Sequence, residues 1–332
     1  MKKGLIAGVL VFACVCGFAS WRLYRFLTTP GSAPLHPVLV FVPEGTPLRV
    51  IAQRLASAGL IISARLFAWY TRLTGADRKI KSGEYVFTAP LSPLALLRIL
   101  RDGEGLRHVV TVAEGMTFRQ IAALLAARGL GAEESFLCLN VDPVFLAAWG
   151  LPPQGLEGYL YPDTYQFSWR ASPEEILGRM VERFYAAISP AMYRQSATLD
   201  LSLHQVITLA SLIEKETGAA TERTLVATVF HNRLRQGIPL QCDPSVIYGI
   251  ESFDGNLTRR HLLTPTLYNT YLFRGLPPGP IASPGLEAIL AALNPAKLDY
   301  LYFVARGDGT HVFSSDLATH NRAVHSFQRG RS

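Results

Sequence analysis

An apolar stretch that ends in two acids is the strongest chemical signal in the sequence. Residues 209–217 read Leu-Ala-Ser-Leu-Ile-Glu-Lys-Glu-Thr, and the spacing of apolar residues predicts a helix over residues 203–217. Acidic side chains are mildly unfavourable at the C-terminal end of a helix, because they meet the negative end of the helix dipole. Glu214 and Glu216 at this position therefore indicate a function, although a solvated last turn explains them equally well on the helix alone.

The helical periodicity separates the two acids. A rotation of about 100° per residue puts Glu216 on the apolar face with Leu209 and Ile213, whereas Glu214 falls nearer the polar strip. A carboxyl in an apolar wall has a raised pKa and can act as a general acid near neutral pH. Cleavage of a glycosidic bond needs such an acid. Glu216 is therefore the first candidate for a catalytic acid, and Glu214 is the alternative.

Aromatic and polar side chains in loop-like segments suit a sugar-binding site around that acid. Tyrosine rings offer flat faces on which sugars stack, and amides or charged groups bond sugar hydroxyls. Each aromatic residue taken singly fits an ordinary core position as well. The binding candidates are Tyr161, Tyr248, Tyr271, Asn232, Arg233, Gln241, Asp243 and Asn269, with Tyr159, Tyr165, Trp169 and Tyr268 as further aromatic neighbours. The Gly/Pro-rich residues 275–285 are expected either to wall the cleft or to cross between elements.

An internal repeat organises the chain upstream of these residues. Residues 42–60 match residues 112–130 at ten of nineteen positions, and each copy predicts a strand, a Glu-Gly turn and a helix that ends at a glycine. In the first copy, Thr46 is expected to cap the helix with Pro47 at its first position. Further elements are predicted at residues 64–73, 83–87, 93–101, 223–236 and 286–293, and as a hairpin of residues 300–305 and 311–314.

The first residues predict a membrane anchor. Lys2 and Lys3 precede residues 4–21, which carry no charge and are long enough, at about 1.5 Å per residue, to cross a bilayer. A cleaved signal peptide or a lipoprotein signal fits less well, because the apolar run is long and residues 18–21 form a poor cleavage site. Residues 1–27 are therefore predicted to be a cytoplasmic stub and transmembrane anchor, and the Pro-rich residues 28–37 a tether to a translocated portion.

Charge and cysteine content exclude several functions. The formal net charge is +7, but the lysines and arginines are scattered and form no tract suited to nucleic acid. Of the four cysteines, Cys138 and Cys242 lie outside the apolar segment and are expected to be ordinary core residues, without a disulfide framework. No His-Glu-x-x-His motif occurs, so we expect no metal, no cofactor and no nucleic-acid partner.

Together, these motifs resemble the bacterial endolytic murein transglycosylases, also called MltG or YceG-like proteins. The similar segments, in order, are Glu-Gly at 157–158, Tyr-Pro-Asp-Thr at 161–164, residues 209–217, Val-Phe-His-Asn-Arg-Leu at 229–234, Gln-Cys-Asp-Pro-Ser-Val-Ile-Tyr-Gly at 241–249, Tyr-Asn-Thr-Tyr at 268–271, Gly-Leu-Pro-Pro-Gly at 275–279, Pro-Gly at 284–285 and Leu-Tyr-Phe-Val-Ala at 301–305. The resemblance spans nearly the whole chain.

The resemblance implies a non-hydrolytic cut of peptidoglycan strands between N-acetylmuramic acid and N-acetylglucosamine, which leaves a 1,6-anhydro end and limits nascent strands. It implies an active glutamate in the Glu-Lys-Glu-Thr segment. Because related lytic enzymes place their acid before a serine at a helix end, the pair Glu216-Thr217 favours Glu216 over Glu214. It further suggests work at the inner membrane, with the catalytic part outside the cytoplasm, beside penicillin-binding synthases.

The expected fold class is α+β, in the order anchor, small LysM-like α+β module and mixed α+β catalytic domain. The predicted boundaries are 38–108 for the module and 109–332 for the catalytic domain, of which 109–200 is the repeat-like helical part and 201–332 the core. Two other functions are compatible with the same residues. One is a two-carboxylate muramidase with Asp243 or Asp163 as the second group, and the other is a non-catalytic scaffold that binds wall strands.

Overall fold

The N-terminal unit, Met1–His108, begins with one long helix and continues as a small α+β module. The protein is known here from a computed structural model, which describes residues 2–30, 38–103, 107–168 and 171–329. The elements of this unit are α1 (Lys2–Thr28), β1 (Val38–Val42), α2 (Leu48–Ser57), α3 (Ala64–Leu73), a 3₁₀ turn (Ala76–Lys79), β2 (Gly83–Phe87) and α4 (Pro93–Asp102), with β3 (Arg107–Thr111) at the boundary. Strands β1 and β2 pair antiparallel, with Val40 opposite Tyr85.

Local sequence signals explain most of these boundaries. The Ser63 and Ser92 hydroxyls accept the backbone N–H groups of Leu66 and Ala95 and so cap α3 and α4. The expected cap of α2 was wrong, because the Thr46 hydroxyl donates to the Pro43 carbonyl at 2.7 Å. Pro47 itself is the N-cap residue, with no side-chain cap bond, and the helix starts one residue later than predicted.

The N-terminal helix covers the predicted anchor, but the structure does not establish a membrane span. Across the described residues, no single helix combines the length and the hydropathy needed to cross a bilayer. One bent pair of helices, Pro190–Thr198 and Leu203–Glu216, meets both criteria together by length and composition only. The anchor therefore stays a prediction, and residues 31–37 of the predicted tether lie outside the described residues.

The second unit, Val109–Ser332, is a mixed α+β domain that holds all the candidate site residues. Its helices include α5 (Phe118–Ala127), α6 (Glu133–Leu139), α7 (Pro143–Ala148), α8 (Pro173–Ala187), α9 (Pro190–Thr198), α10 (Leu203–Glu216), α11 (Arg223–Gln236), α12 (Asp243–Tyr248), α13 (Arg259–Leu263), α14 (Leu286–Leu293) and α15 (Leu317–Val324). Its strands include β4 (Thr164–Ser168), which pairs with β3, and the pair β5 (Tyr302–Ala305) and β6 (His311–Ser314). The α+β class is confirmed.

Both copies of the internal repeat adopt the predicted strand, turn and helix. The turn glycines Gly45 and Gly115 have φ values of 71° and 74°, and Gly59 and Gly129, after α2 and α5, have 73° and 74°. A left-handed backbone favours glycine at all four positions. The second copy has a full capping box at Thr117 and Gln120, which the first copy lacks.

Helix α10 is the central element of the second unit. Its eight consecutive residues from Val206 to Ile213 are all buried, and it packs on α11, α12 and α14. Ser202 and Gln205 form a capping box at its start, and the chain turns to an extended conformation at Thr217. The helix thus ends at Glu216, as the apolar periodicity predicts to within one residue.

The Gly/Pro-rich residues 275–285 run alongside α10 in the same direction and are mostly buried. His204 Nε2 lies 2.8 Å from the Pro278 carbonyl near the start of α10, and the Ile281 N–H donates to Ser211 at 3.0 Å in its middle. Near the end of the helix, the Gly285 N–H donates to Glu214 at 3.0 Å. The segment is therefore a packed framework strap, and its Gly279-Pro280 portion lines a cavity.

Candidate active site

Glu216 is held at the end of the buried helix, where its carboxyl meets the first turn of α12. It shares a hydrogen bond with the Cys242 thiol, and Asp243 and Arg233 act on it through their charges. Burial raises the pKa of Glu216 to about 7, and the negative charge of Asp243 adds to the rise. The thiol bond and the Arg233 charge favour the carboxylate and lower the pKa. At neutral pH the side chain is therefore divided between its acid and base forms.

The segment that faces Glu216 is held in an unusual backbone conformation. Gln241 has a φ of 53°, in the left-handed region that residues other than glycine rarely adopt. Its N–H donates to the Thr270 carbonyl at 3.0 Å, and the Cys242 N–H donates to the Thr270 hydroxyl at 2.9 Å. The strain is thus compensated by a fixed hydrogen-bond network, which directs Cys242 toward Glu216.

Asp243 and Tyr271 form the exposed part of the same cluster. The Tyr271 hydroxyl donates to Asp243 Oδ1 at 2.5 Å. Asp243 is exposed and Tyr271 is half-buried, so a ligand approaching Glu216 meets both. The structure therefore brings together Glu216, Asp243, Tyr271 and Gln241 among the residues selected from the sequence.

Three other candidates from the sequence are committed to the framework. Asn232 donates to the carbonyls of Leu298 and Tyr300, both at 2.8 Å. Asn269 donates to the Thr264 carbonyl at 2.8 Å. The Arg233 guanidinium donates to the carbonyls of residues 239, 240 and 301 and to Gln241 Oε1. These side chains fix loops around the site, and Arg233 also supplies positive charge to Glu216.

Glu214 points away from Glu216, into a separate cluster. Its side chain is only 8% exposed and lies 3.5 Å from Arg223, which is also 3.7 Å from Glu114. Its other oxygen accepts the N–H of Gly285, the N-cap residue of α14. Burial raises the pKa of Glu214, while the bonds from Gly285 and Arg223 lower it. The contacts are those of a residue that ties α10 to α14.

Tyr248 belongs to a second polar region, around Glu157. The Glu157 carboxylate accepts the Phe118 N–H at 2.9 Å and the Tyr248 hydroxyl at 3.1 Å. Burial raises the pKa of Glu157 to about 7, against the lowering effect of both bonds. These residues line a cavity of about 670 Å³ with Arg119, Tyr159 and His204. Because α12 runs from Asp243 to Tyr248, one short helix links this cavity to the surroundings of Glu216.

Tyr161 lies in the core, with the Arg183 guanidinium 4.8 Å from its ring centre. Arg183 in turn is paired with Asp163 at 2.7 Å, so Asp163 is engaged away from Glu216. Trp169 lies outside the described residues. Within the described ranges, no three His, Cys, Asp or Glu side chains are grouped as metal ligands.

Sequence reasoning missed the roles of both cysteines outside the N-terminal segment. Cys242 is buried as expected, yet it contacts the candidate acid and is therefore part of the site. Cys138 was expected in the core but is exposed on α6. The direct neighbourhood of Cys242 and Asp243 is the only signal that points to the first role. Cys138 is exposed because Phe136 and Leu139 occupy the buried face of the short helix α6, and Cys138 lies on its other side.

Comparison with known proteins identifies the family of the chain. The model of the YceG-like family matches residues 40–326. The chain is 32% identical over 307 residues to an endolytic murein transglycosylase of Bacillus subtilis, covering 87% of this chain and 84% of that protein. It is 30% identical over 359 residues to one of Streptococcus pneumoniae, covering 97% of this chain and 65% of that protein.

A solved structure shows the same fold. The crystal structure of a yceG-like protein from Listeria monocytogenes has a TM-score of 0.61 and 31% identity, and the match covers 87% of this chain and 99% of that one. The fold of this chain is thus that of the YceG-like proteins. The chain belongs to the YceG-like family.

Proposed function

We propose that this chain is an endolytic murein transglycosylase, with Glu216 as its catalytic residue. The names of the relatives support the activity, and the site supports the residue. The observation that carries the assignment is the position of Glu216, at the end of the core helix, with its pKa raised by burial to about 7. The substrate is the bond between N-acetylmuramic acid and N-acetylglucosamine within a peptidoglycan strand.

A carboxyl with this pKa suits both halves of the reaction. In its acid form Glu216 protonates the glycosidic oxygen as the bond from that oxygen to C1 of the muramyl residue breaks. In its base form it accepts the proton of the muramyl 6-hydroxyl, whose oxygen closes on C1. One bond to C1 is exchanged for another, the proton returns to Glu216, and no water is consumed.

Neighbouring groups tune this acid. The negative charge of Asp243 keeps Glu216 protonated to higher pH, whereas Arg233 and the Cys242 thiol stabilise its charged form. Tyr271 holds Asp243 and so fixes the position of that charge. Gln241 and Tyr271, at the accessible side of the cluster, are the proposed contacts to sugar hydroxyl and acetamido groups.

The products distinguish this function from a muramidase and from a scaffold. Full-length protein in detergent is incubated with purified glycan strands in ¹⁸O-labelled water, and the fragments are weighed by mass spectrometry. We expect 1,6-anhydro ends without ¹⁸O. Fragments heavier by one labelled water would establish a hydrolase such as a two-carboxylate muramidase, and intact strands would indicate a scaffold.

The Cys242 thiol gives a test of the tuning. Because its hydrogen bond favours the carboxylate, Cys242→Ala should raise the pKa of Glu216. The acid form is present below the pKa and lost above it, so the alkaline limb of the rate profile should move to higher pH. The move should be about one pH unit or less, since a thiol is a weak donor and one unit corresponds to about 1.4 kcal/mol.

The matched control for this shift is Cys138→Ala, because Cys138 is exposed and plays no part in the site. Its profile of initial cleavage rate against pH should coincide with that of the native protein. If the alkaline limb of Cys242→Ala stayed in place or moved to lower pH, the thiol would not be the group that lowers this pKa.

The remaining parts of the chain carry further proposals. Residues 38–108 are proposed as a LysM-like glycan-binding module, supported by the order β1, α2, α3, β2 with the two strands paired. Residues 4–21 are proposed as a single-pass inner-membrane anchor that leaves the catalytic domain outside the cytoplasm, supported by the uncharged sequence within α1. Penicillin-binding synthases are proposed partners, since the synthases and the proposed transglycosylase would both act on nascent strands at that membrane.

A further inference from the structure

An exposed apolar stripe runs along α3 in the N-terminal unit. Leu66, Trp69 and Leu73 are 44%, 53% and 66% exposed, and Ile62, just before the helix, is 89% exposed. At about 100° per residue, the three helical positions fall within about 60° of one another. The opposite face of α3 carries Phe67 and Thr71, which are fully buried in the module. The stripe is thus a regular outer face of a helix whose inner face is already packed.

The end of α1 lies next to this stripe. Leu27 is buried in the same unit, and Phe26 packs against the hydrophobic core of the module, so the helix end is attached to the module. Residues of α1 and α3, including Leu23, Phe26, Leu66 and Trp69, line one shared groove of about 970 Å³. The apolar outer faces of the two helices are therefore continuous.

The same stretch of α1 has the composition of a membrane interface. Phe18, Trp21 and Tyr24 are exposed, and Arg22 and Arg25 lie over the Phe18 and Trp21 rings at 5.9 and 5.7 Å. Amphipathic aromatic rings and arginines with apolar stems concentrate at the level of lipid headgroups. A stripe beside such a segment lies at the same level.

The charges around the stripe have one sign. Arg65 and Arg72 are exposed on α3, and Arg22 and Arg25 line the groove from α1. No acidic residue occurs among the described residues that line the groove, nor anywhere in α3. An apolar strip edged only by arginines matches the acyl boundary and the phosphates of an anionic bilayer. A groove that binds an uncharged surface of a partner protein would not need these arginines.

We infer that the N-terminal module is seated on an anionic phospholipid surface through Ile62, Leu66, Trp69 and Leu73, with Arg65 and Arg72 at the headgroups. This inference goes beyond the proposed anchor and the proposed glycan binding. It makes the module part of the membrane-bound surface, so that the module does not swing freely from the anchor.

The test places a reporter in the stripe of the full-length protein. Cys14, Cys16 and Cys138 are exposed and are replaced by serine, whereas the buried Cys242 is kept. A cysteine carrying an environment-sensitive fluorophore is introduced by Ile62→Cys, or by Gln53→Cys at an exposed position on α2 as the control. The protein is incorporated into vesicles of equal parts phosphatidylglycerol and phosphatidylcholine, with brominated lipid as the quencher.

We expect the fluorophore at position 62 to be quenched at least about threefold more strongly than that at position 53, because the stripe enters the headgroup and acyl boundary. The difference should shrink in pure phosphatidylcholine and at high salt, since the arginine contribution is electrostatic. Arg65→Glu with Arg72→Glu should reduce it in the same way. Both changes are at exposed positions, and unchanged thermal unfolding of the variant would show that its fold is intact.

Two results would overturn the inference, and they differ in meaning. If the protein floats with the vesicles while positions 62 and 53 are quenched equally, the anchor binds the membrane but the stripe does not contact lipid. A protein partner then becomes the occupant of the stripe. If the protein does not float with vesicles of either composition, both the lipid contact of the module and the proposed anchor are contradicted. Neither result bears on the proposed transglycosylase activity, which the glycan products test separately.

Discussion

Replacing Glu216 with glutamine should lower the rate of strand cleavage by about 10²- to 10⁴-fold, the range expected when a general acid is lost. Glutamine has nearly the same shape, but it has no proton to give to the glycosidic oxygen and no base to take one from the 6-hydroxyl. The measurement is the initial rate of release of anhydro-ended fragments from purified strands. Glutamine fits the position of Glu216 without a change in the surrounding helix or loops.

The pH dependence of stability indicates that the expected loss of cleavage activity will not result from unfolding of the variant. The pKa of Glu216 rises from 4.5 to about 7 on folding, so the folded protein holds more protons than the unfolded chain between those values. The free energy of unfolding contributed by Glu216 therefore falls as the pH rises from about 4.5 to 7. Glutamine removes this contribution, and Glu216→Gln should be at least as stable as the native protein at pH 8.

Glu214→Gln is the matched control, since it alters the same helix two residues away. It removes the charge that meets Arg223 but keeps a side-chain oxygen for the Gly285 N–H. We expect cleavage to stay within about tenfold of the native rate, with the main effect on stability. Full activity in Glu216→Gln together with its loss in Glu214→Gln would reverse the assignment of the catalytic residue.

Gly158→Ala should cause the second large effect, a loss of about 2–5 kcal/mol in the free energy of unfolding. Gly158 has a φ of 83°, and an added Cβ would lie 2.5 Å from the Cβ of Pro280 and 3.1 Å from Ile207 Cγ2. Proline cannot rotate away and Ile207 is buried in α10, so the contact forces the framework strap off the helix. Denaturant titration of the full-length protein measures the loss.

Gly129→Ala separates backbone strain from crowding. Gly129 has a similar φ of 74°, but nothing lies within 4 Å of the position its Cβ would take. This variant should lose only about 1–2 kcal/mol, the cost of a left-handed backbone for a residue with a side chain. Equal losses in both variants would show that Gly158 and Pro280 are not in tight contact and that the framework strap is not packed closely against residue 158.

The sequence alone predicted the elements because their signals are local. Residues 64–73, 83–87, 223–236 and 286–293 form the helices and strand expected of them, since apolar periodicity and glycine punctuation act within one element. The internal repeat predicted the same turn twice, and the structure has left-handed glycines at both turns. The misassigned cap at Thr46 shows the limit, because a hydroxyl has several backbone partners within reach.

The arrangement of the site depended on contacts far apart in the chain. Glu214 and Glu216 differ by two positions, so the periodicity distinguished them only modestly. The tertiary structure directs Glu214 to Gly285 and Arg223, and Glu216 to Cys242 and Asp243. Which polar side chains are committed to the framework, as Asn232 and Asn269 are, depends on carbonyl groups of distant loops.

What the sequence by itself determined about this protein is therefore its elements, its family and the helix that ends in acids. The tertiary structure alone decided the surroundings of each acid, and with them the pKa of Glu216 and the role of Cys242. The physical reason is that burial and through-space charge set a pKa, and both are properties of the packed chain. The periodicity of one helix shows which face is apolar, but it does not show what packs against that face.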